Sequence, residues 1–326
     1  MSLQIIKSGL LDTIQDQRRF GYQHLGINPG GAMDSFSAQA GNALLGKDLN
    51  SPVIEIHFPS PVILFEKETI ICITGANFSP AINQKKIPID QPIAINKNSV
   101  LQFEKKECGA RCYLALLHEF ELDKWLNSYS TNLVAGAGGF KGRALKKGDI
   151  LHFKNNLECK YLAEEKDFAL LPWKTIRTEI PNQEVKFIKG PEWDWLTADA
   201  IKIFIESDYK ISNNSDRMGY HLNGKSLKLK NDKQLISSGV TFGTIQLLPN
   251  GQLIILMADH QTTGGYPRVA QVITADLPIL AQRNPGDEIK FYEVEHVFAE
   301  QQLIEQHMQL VQLQNASKFK MEKISL

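Results

Sequence analysis

Short apolar or alternating runs recur along the chain: VIEIHF, VILFE, TIICITGA, CYLALL, IKIFI, VTFGTIQLL and LIILMA. Turn-forming stretches such as PSP, NQKK, NKNS, KKGD, LPNG and NPGD separate them, so the pattern predicts short antiparallel strands through most of the chain. Helical spacing is scarce. From about Asp34 to Leu45, apolar or small residues recur at helical intervals and stop at Gly46, which predicts one short helix. A second helix candidate follows His260, in YPRVAQVITADLPILAQ. The tail from about Val294 to Leu313 repeats Val, Phe, Leu, Ile and Met at helical spacing and predicts a closing amphipathic helix.

At 326 residues the chain has room for two ordinary domains. The polar run from Asn155 to Gln183 separates two β-rich halves and is read as a crossover. This gives an N-terminal half over 1–182 that includes the crossover, and a C-terminal half over 183–326 with the closing helix. DQRRFGYQHLG at Asp16 to Gly26 echoes SDRMGYHLNG at Ser215 to Gly224, a faint sign of two related halves.

Charge narrows the choice of partners. Lysine plus arginine equals aspartate plus glutamate, 36 against 36, so no global field draws the protein to nucleic acid or an anionic membrane. The four cysteines lie in or beside apolar segments without paired zinc spacing, which fits buried thiols in a reducing compartment. No segment approaches the roughly 18 apolar residues of a spanning helix, and the expectation is a soluble, cytoplasmic protein without a metal site.

Gly219 to Ser226 matches the phosphate-loop pattern GxxxxGKS by letter, but that chemistry needs a strand before the loop and a helix after it. SNNSDRM precedes the match and LKLKNDKQLISSG follows, which reads as a loop and then a strand. Gly136 to Gly142 resembles a dinucleotide loop with the wrong spacing. His260 is different, because an apolar strand opens there into Asp259, Gln261, Thr262, Thr263, Gly264, Gly265 and Tyr266. Strand ends opening into polar loops are where a rigid scaffold presents reactive groups. Arg19 with Tyr22, Asp34 after GGAM, and Asp216-Arg217 with Tyr220 form three further polar clusters, although Asp34 is also placed to cap the helix after it. Arginine offers a planar fork for carboxylates, and histidine or aspartate an acid-base partner.

GLLDTIQDQRRFGYQHLG, GGAMD, ITGAN, STNLVAGAGGFKGRALKKGD, GPEWDW, SDRMGYHLNG, SSGVTFGTIQ, LPNGQ and DHQTTGGYP occur in order from about Gly9 to about Val294. Together they resemble the family that holds the C subunit of bacterial 5-oxoprolinase, the antagonist of a sporulation-kinase inhibitor and the carboxyltransferase half of urea carboxylase, also called allophanate hydrolase subunit 2. The resemblance implies a mainly β fold of two cyclophilin-like open β-barrel domains with a few packed helices. It implies two partners, a B subunit related to the kinase inhibitor and an A subunit. Their complex would use ATP and water to open 5-oxo-L-proline to L-glutamate, the ATP site not being assigned to this chain. Alternatives are carboxyl transfer from carboxybiotin to urea or a related amide, with biotin as cofactor, and a non-enzymatic regulator of a kinase-inhibitor homologue. On this reading His260, Asp34 and Arg217 are the candidate catalytic residues. Arg19, Tyr22, Asp216, Tyr220, Gln261, Thr262, Thr263, Gly264, Gly265 and Tyr266 are the candidates to contact a small amide or lactam. The chain departs from the family's usual glycine and proline at Arg18 and Phe20, and also at Asn77, Ser238, His118 and Glu119.

Overall fold

The computed structural model describes residues 2–154, 167–175, 184–231 and 235–324. The chain divides into two compact units, each discontinuous in sequence: Met1–Arg18, Asp34–Thr178 and His307–Leu326 form one, and Arg19–Met33 with Glu179–Gln306 form the other. The boundary expected at 182/183 lies outside the described residues, as does most of the crossover over Asn155–Gln183.

The first unit contains two six-stranded sheets. One runs Ile150–His152, Ser2–Lys7, Val62–Phe65, Ser99–Phe103, Pro80–Ile82 and Lys85–Lys86; the other runs Phe168–Leu170, Pro92–Ile95, Thr69–Asn77, Cys108–Leu116, Val53–Ile56 and Thr13–Gln15. Their apolar side chains share one core, with Ile5, Phe65 and Leu101 from the first sheet and Ile14, Ile54, Ile73 and Leu114 from the second. Burying each such side chain contributes about 1.5–3 kcal/mol, so the alternation in sequence acts as a folding instruction. Helix α1 (Ser35–Leu44) lies against the Thr69–Asn77 and Cys108–Leu116 strands.

In the second unit seven strands close into a barrel, in the order Glu184–Lys189, Arg268–Val272, Thr244–Leu247, Leu253–Leu256, Gly219–Asn223, Asp208–Ile211 and Glu288–Glu293. The last pairs in parallel with the first, and this closure removes the sheet edges that an open barrel would leave. Phe187, Trp193, Phe204, Tyr209 and Phe291 fill part of the interior, with Phe204 stacked on Phe291 at a centroid distance of 4.7 Å.

The mainly β architecture matches the strand-rich pattern, and α1 lies where the spacing placed it. Two elements differ. IKIFI belongs to helix α2 (Ala198–Glu206), started by Thr197, whose side chain accepts from Ala200 N. A short apolar run cannot separate a buried strand from a helix by periodicity alone, and the Thr197 cap was the deciding local signal. YPRVAQVITADLPILAQ is mostly not helical: it forms the barrel strand Arg268–Val272, a 3-10 turn over Thr274–Asp276 and only then helix α3 (Leu277–Ala281), with Pro278 in its first turn. The closing helix is α4 (His296–Ile324), longer than the apolar spacing indicated. Its Leu310, Val311 and Leu313 pack on Ala40, Ala43 and Leu49 of the first unit. Among the described residues, no helix is long and apolar enough to cross a membrane.

Candidate functional site at the barrel mouth

The strand Leu253–Leu256 pairs with Gly219–Asn223, and two further backbone bonds extend that ladder: Met257 N to Met218 O at 2.9 Å and Asp259 N to Arg217 O at 2.8 Å. The chain segments before Gly219 and after Leu256 therefore leave the barrel side by side. Their side chains meet: Arg217 Nε donates to Asp259 Oδ2 at 2.7 Å and Nη2 to Oδ1 at 3.1 Å. Both residues are buried. A buried pair of this kind needs two-pronged geometry and further hydrogen bonds to offset desolvation. Arg217 Nη2 supplies one by donating to Gly31 O at 2.8 Å, and Asn28 Nδ2 donates to Asp259 O at 2.9 Å. The loop 19–33 is thus stitched to the barrel mouth.

Arg19 is buried in the same place. A Cβ added to Gly30 would lie 3.2 Å from Arg19 Nη1 and 3.7 Å from Asp259 Oδ1, and Gly30 has φ +62°. Close approach and a left-handed backbone both demand glycine here. Of the residues singled out by sequence, Arg19, Arg217 and the DHQ turn are brought together.

His260 is almost fully buried, and its Nδ1 lies 2.5 Å from Gln261 O. A carbonyl only accepts, so Nδ1 carries the hydrogen, and Nε2 is the basic nitrogen of the neutral ring. Beyond it, Gln261, Thr263, Gly265 and Tyr266 are exposed, Thr262 is half-buried and Gly264 is buried. Thr263–Gly264 pairs with Ser238–Gly239, and Gln246 Nε2 donates to Tyr266 O at 3.2 Å. A Cβ on Gly264 would fall 2.7 Å from that Nε2.

The remaining candidates have different surroundings. Asp216 is exposed and shapes the turn before Arg217, its Oδ1 accepting from Met218 N at 2.7 Å and Gly219 N at 3.2 Å. The Tyr220 side chain belongs to the barrel core. Tyr22 is half-buried and opens the 3-10 turn Gln23–Leu25. Asp34 belongs to the first unit and caps α1: Oδ1 accepts from Ser37 N at 2.8 Å and Oδ2 from Ser37 Oγ at 2.5 Å. Its backbone N–H donates to Tyr113 Oη at 2.7 Å, and that hydroxyl donates to the buried Glu55.

Sequence reasoning placed Asp259 in the polar turn without giving it a role, and did not single out Asn28, Gln246 or the ion pair of Glu192 with Arg268. Arg268 Nη2 donates to Glu192 Oε1 at 2.8 Å and Nε to Oε2 at 2.9 Å, tying GPEWDW to the strand after the GGYP loop. Burial pushes the Glu192 carboxyl up, but hydrogen bonds from Arg268 outweigh this and hold it below the usual range. The only local signal for Asp259 was its place beside His260. Gly219–Ser226, the phosphate-loop lookalike, is a barrel strand followed by a bend, and residues 227–231 directly after it are not helical. The echo between DQRRFGY and SDRMGY is one of letters: Gly21 sits in a loop with φ +90°, whereas Gly219 is in a strand.

Fold and site define a mainly β protein that carries its polar groups at a barrel mouth, on strand ends stitched to a crossing loop. The family model for the carboxyltransferase domain, subdomain A and B, matches residues 25–293, and the chain belongs to that family. The C subunit of 5-oxoprolinase from Haemophilus influenzae is 37% identical over 283 residues, covering 86% of this chain and 88% of the relative. Its namesake from Escherichia coli is 33% identical over 291 residues, covering 89% and 91%. The structure of Kluyveromyces lactis urea carboxylase superposes with a TM-score of 0.86 at 27% identity, over 97% of this chain and 29% of that one.

Proposed function

We propose that this chain is the C subunit of an ATP-dependent 5-oxoprolinase complex that opens 5-oxo-L-proline to L-glutamate in the cytoplasm, together with the A and B subunits. The observation that carries this is the pair of 5-oxoprolinase relatives, which align over nearly the whole of both chains. A lactam resists hydrolysis through amide resonance and easy reclosure, so ATP must drive the reaction. Transfer of the terminal phosphoryl group to the lactam oxygen releases ADP and makes the ring carbon electrophilic. Water then adds, the C–N bond breaks with the nitrogen taking a proton, and a second water cleaves the resulting acyl phosphate to glutamate and phosphate.

In this reading His260 Nε2 takes a proton from the attacking water. Arg217 positions the mouth through Asp259 and Gly31, and Arg19 meets the substrate carboxylate. Gln261, Thr262, Thr263 and Tyr266 contact the ring, and Gly264 and Gly265 let the backbone approach it. The Asp34 carboxylate, bound on both oxygens by Ser37, serves the start of α1. Glutamate release from 5-oxo-L-proline with ATP tests the reading, with the two partner subunits compared with and without this chain. Release that depends on the chain is expected, and release indifferent to it would overturn the assignment.

A second reading, carboxyl transfer from carboxybiotin to urea or a related amide, draws on the likeness to urea carboxylase. The chain spans only 29% of that enzyme, so its activity would need further domains on other chains. Carboxybiotin consumption stimulated by urea in the presence of this chain would favour it.

A further inference from the structure

The first unit carries a cleft of about 520 Å³ lined by residues 121–125 and 136–142, remote in sequence from every residue of the barrel mouth. Its walls combine four kinds of group. Trp125 offers aromatic surface, and Lys124 and Lys141 offer cations: Lys124 Nζ lies 5.2 Å from the Tyr129 ring centre, and Lys141 Nζ lies 5.0 Å from the centre of the Phe140 ring, which packs on the core of the first unit. Arg143, locked to Asp149 by bonds of 2.7 and 2.8 Å, lies against the Phe140 ring at 5.6 Å. The backbone N–H groups of Gly138, Gly139, Phe140 and Lys141 donate to no described residue, whereas their neighbours Ala137 and Gly142 donate to Asn132 O and Gly138 O. Two carboxylates, Glu121 and Asp123, complete the lining.

We propose that this cleft binds a magnesium-bound nucleoside polyphosphate. Consecutive open N–H donors with two lysines suit phosphate oxygens, which accept from both backbone amides and ammonium groups. Trp125 suits a planar base, since stacking needs only a π-face. The carboxylates decide the form of the ligand. A bare polyphosphate would meet two like charges, whereas a magnesium ion riding on the phosphates turns those oxygens into hard ligands, direct or through water. No group of three or more His, Cys, Asp or Glu among the described residues would hold a metal unaided, so the ion arrives with the phosphates. The nucleotide's role rests on the 5-oxoprolinase reading, where ATP is consumed; its binding does not.

The test is calorimetric titration of magnesium ATP into the full chain without its partners, repeated with EDTA, with inorganic triphosphate, and with Lys141→Ala and Trp125→Ala. Expected are saturable binding at one site, a loss of about tenfold in affinity for each variant, and weaker binding when magnesium is removed or the base is absent. Lys141 is exposed, so its replacement leaves folding intact, checked by an unchanged thermal midpoint. Wild-type protein without saturable heat, or affinity untouched by both substitutions, overturns the site. Turnover in the complex with no binding here places the nucleotide on another chain, overturning the site while the oxoprolinase reading stands. Binding here without chain-dependent turnover sinks that reading and keeps the site.

Discussion

Arg217 and Asp259 lie 42 residues apart and meet in a buried two-pronged ion pair, Nε to Oδ2 at 2.7 Å and Nη2 to Oδ1 at 3.1 Å. One guanidinium thereby joins the end of one barrel strand, the start of its neighbour and the Gly31 carbonyl. Asp259→Ala removes the carboxylate from a buried arginine and is expected to cost about 3–5 kcal/mol in urea unfolding. Arg217→Lys keeps the charge but loses the fork, and should lower complex turnover more than stability. An unchanged unfolding midpoint in Asp259→Ala would show that the pair does not hold the mouth together.

His260 tests the chemistry. With Nδ1 committed to Gln261 O, replacement by alanine should, on the proposed oxoprolinase reading, cut glutamate release by about 10²-fold or more while binding to the proposed B subunit is kept. Turnover at the wild-type rate would remove His260 from the mechanism.

For Asp34, cap and chemistry separate by substitution. Asparagine caps almost as well as aspartate, so Asp34→Asn should keep the thermal midpoint and the turnover, whereas Asp34→Ala should lose about 1 kcal/mol. A stable Asp34→Asn protein without activity would instead give the carboxylate a part in the reaction.

Asp12 predicts a pH dependence unconnected with catalysis. It is buried in the first unit with Oδ2 accepting from Gly9 N at 2.8 Å. Burial pushes its carboxyl up to about 7, against partial opposition from backbone hydrogen bonds of Gly9 and His57. Its folded value lies above the unfolded one, so the folded state holds the proton longer. Stability from this group therefore falls as pH rises from about 4 to about 7 and is level above that. Asp12→Asn should be more stable than wild type at pH 8, by at most about 4 kcal/mol, with the gap closing toward pH 4. Parallel unfolding curves for the two proteins across this range would refute the assignment.

Arg18 holds φ +113°, a left-handed backbone conformation that favours glycine. Asp16 helps to hold that turn: its Oδ1 accepts from Arg18 N at 3.1 Å and from Ser128 Oγ and Ser130 Oγ at 2.7 and 2.5 Å. Arg18→Gly should relieve about 1 kcal/mol of backbone strain and raise the thermal midpoint.

Much of the fold was legible because burial leaves a local trace. Alternation in VILFE or CYLALL follows from the two-residue period of a strand, and α1 announces itself through Asp34 and the small residues after it. IKIFI misled because five apolar-rich residues satisfy either period until the Thr197 cap is weighed. At the site, the strand opening into DHQ was visible, and so were the arginines of RRFGY and SDRMGY. Asp259 was given no role and Asn28 was not noticed, since an aspartate in a turn and an asparagine in a loop are common solvated residues until a partner is known.

Local pattern alone was enough to indicate that the chain is mainly β, where most strands and turns fall, and which strand end opens into polar residues, because each depends on residues within a few positions of one another. Folding in three dimensions was needed to close a barrel by parallel pairing of Glu184–Lys189 with Glu288–Glu293, to bring Arg217 to Asp259 and Gly31, and to set Glu192 on Arg268. Those pairings join segments tens to hundreds of residues apart. Strand register and buried charge geometry are set by such distant partners, and no local periodicity encodes them.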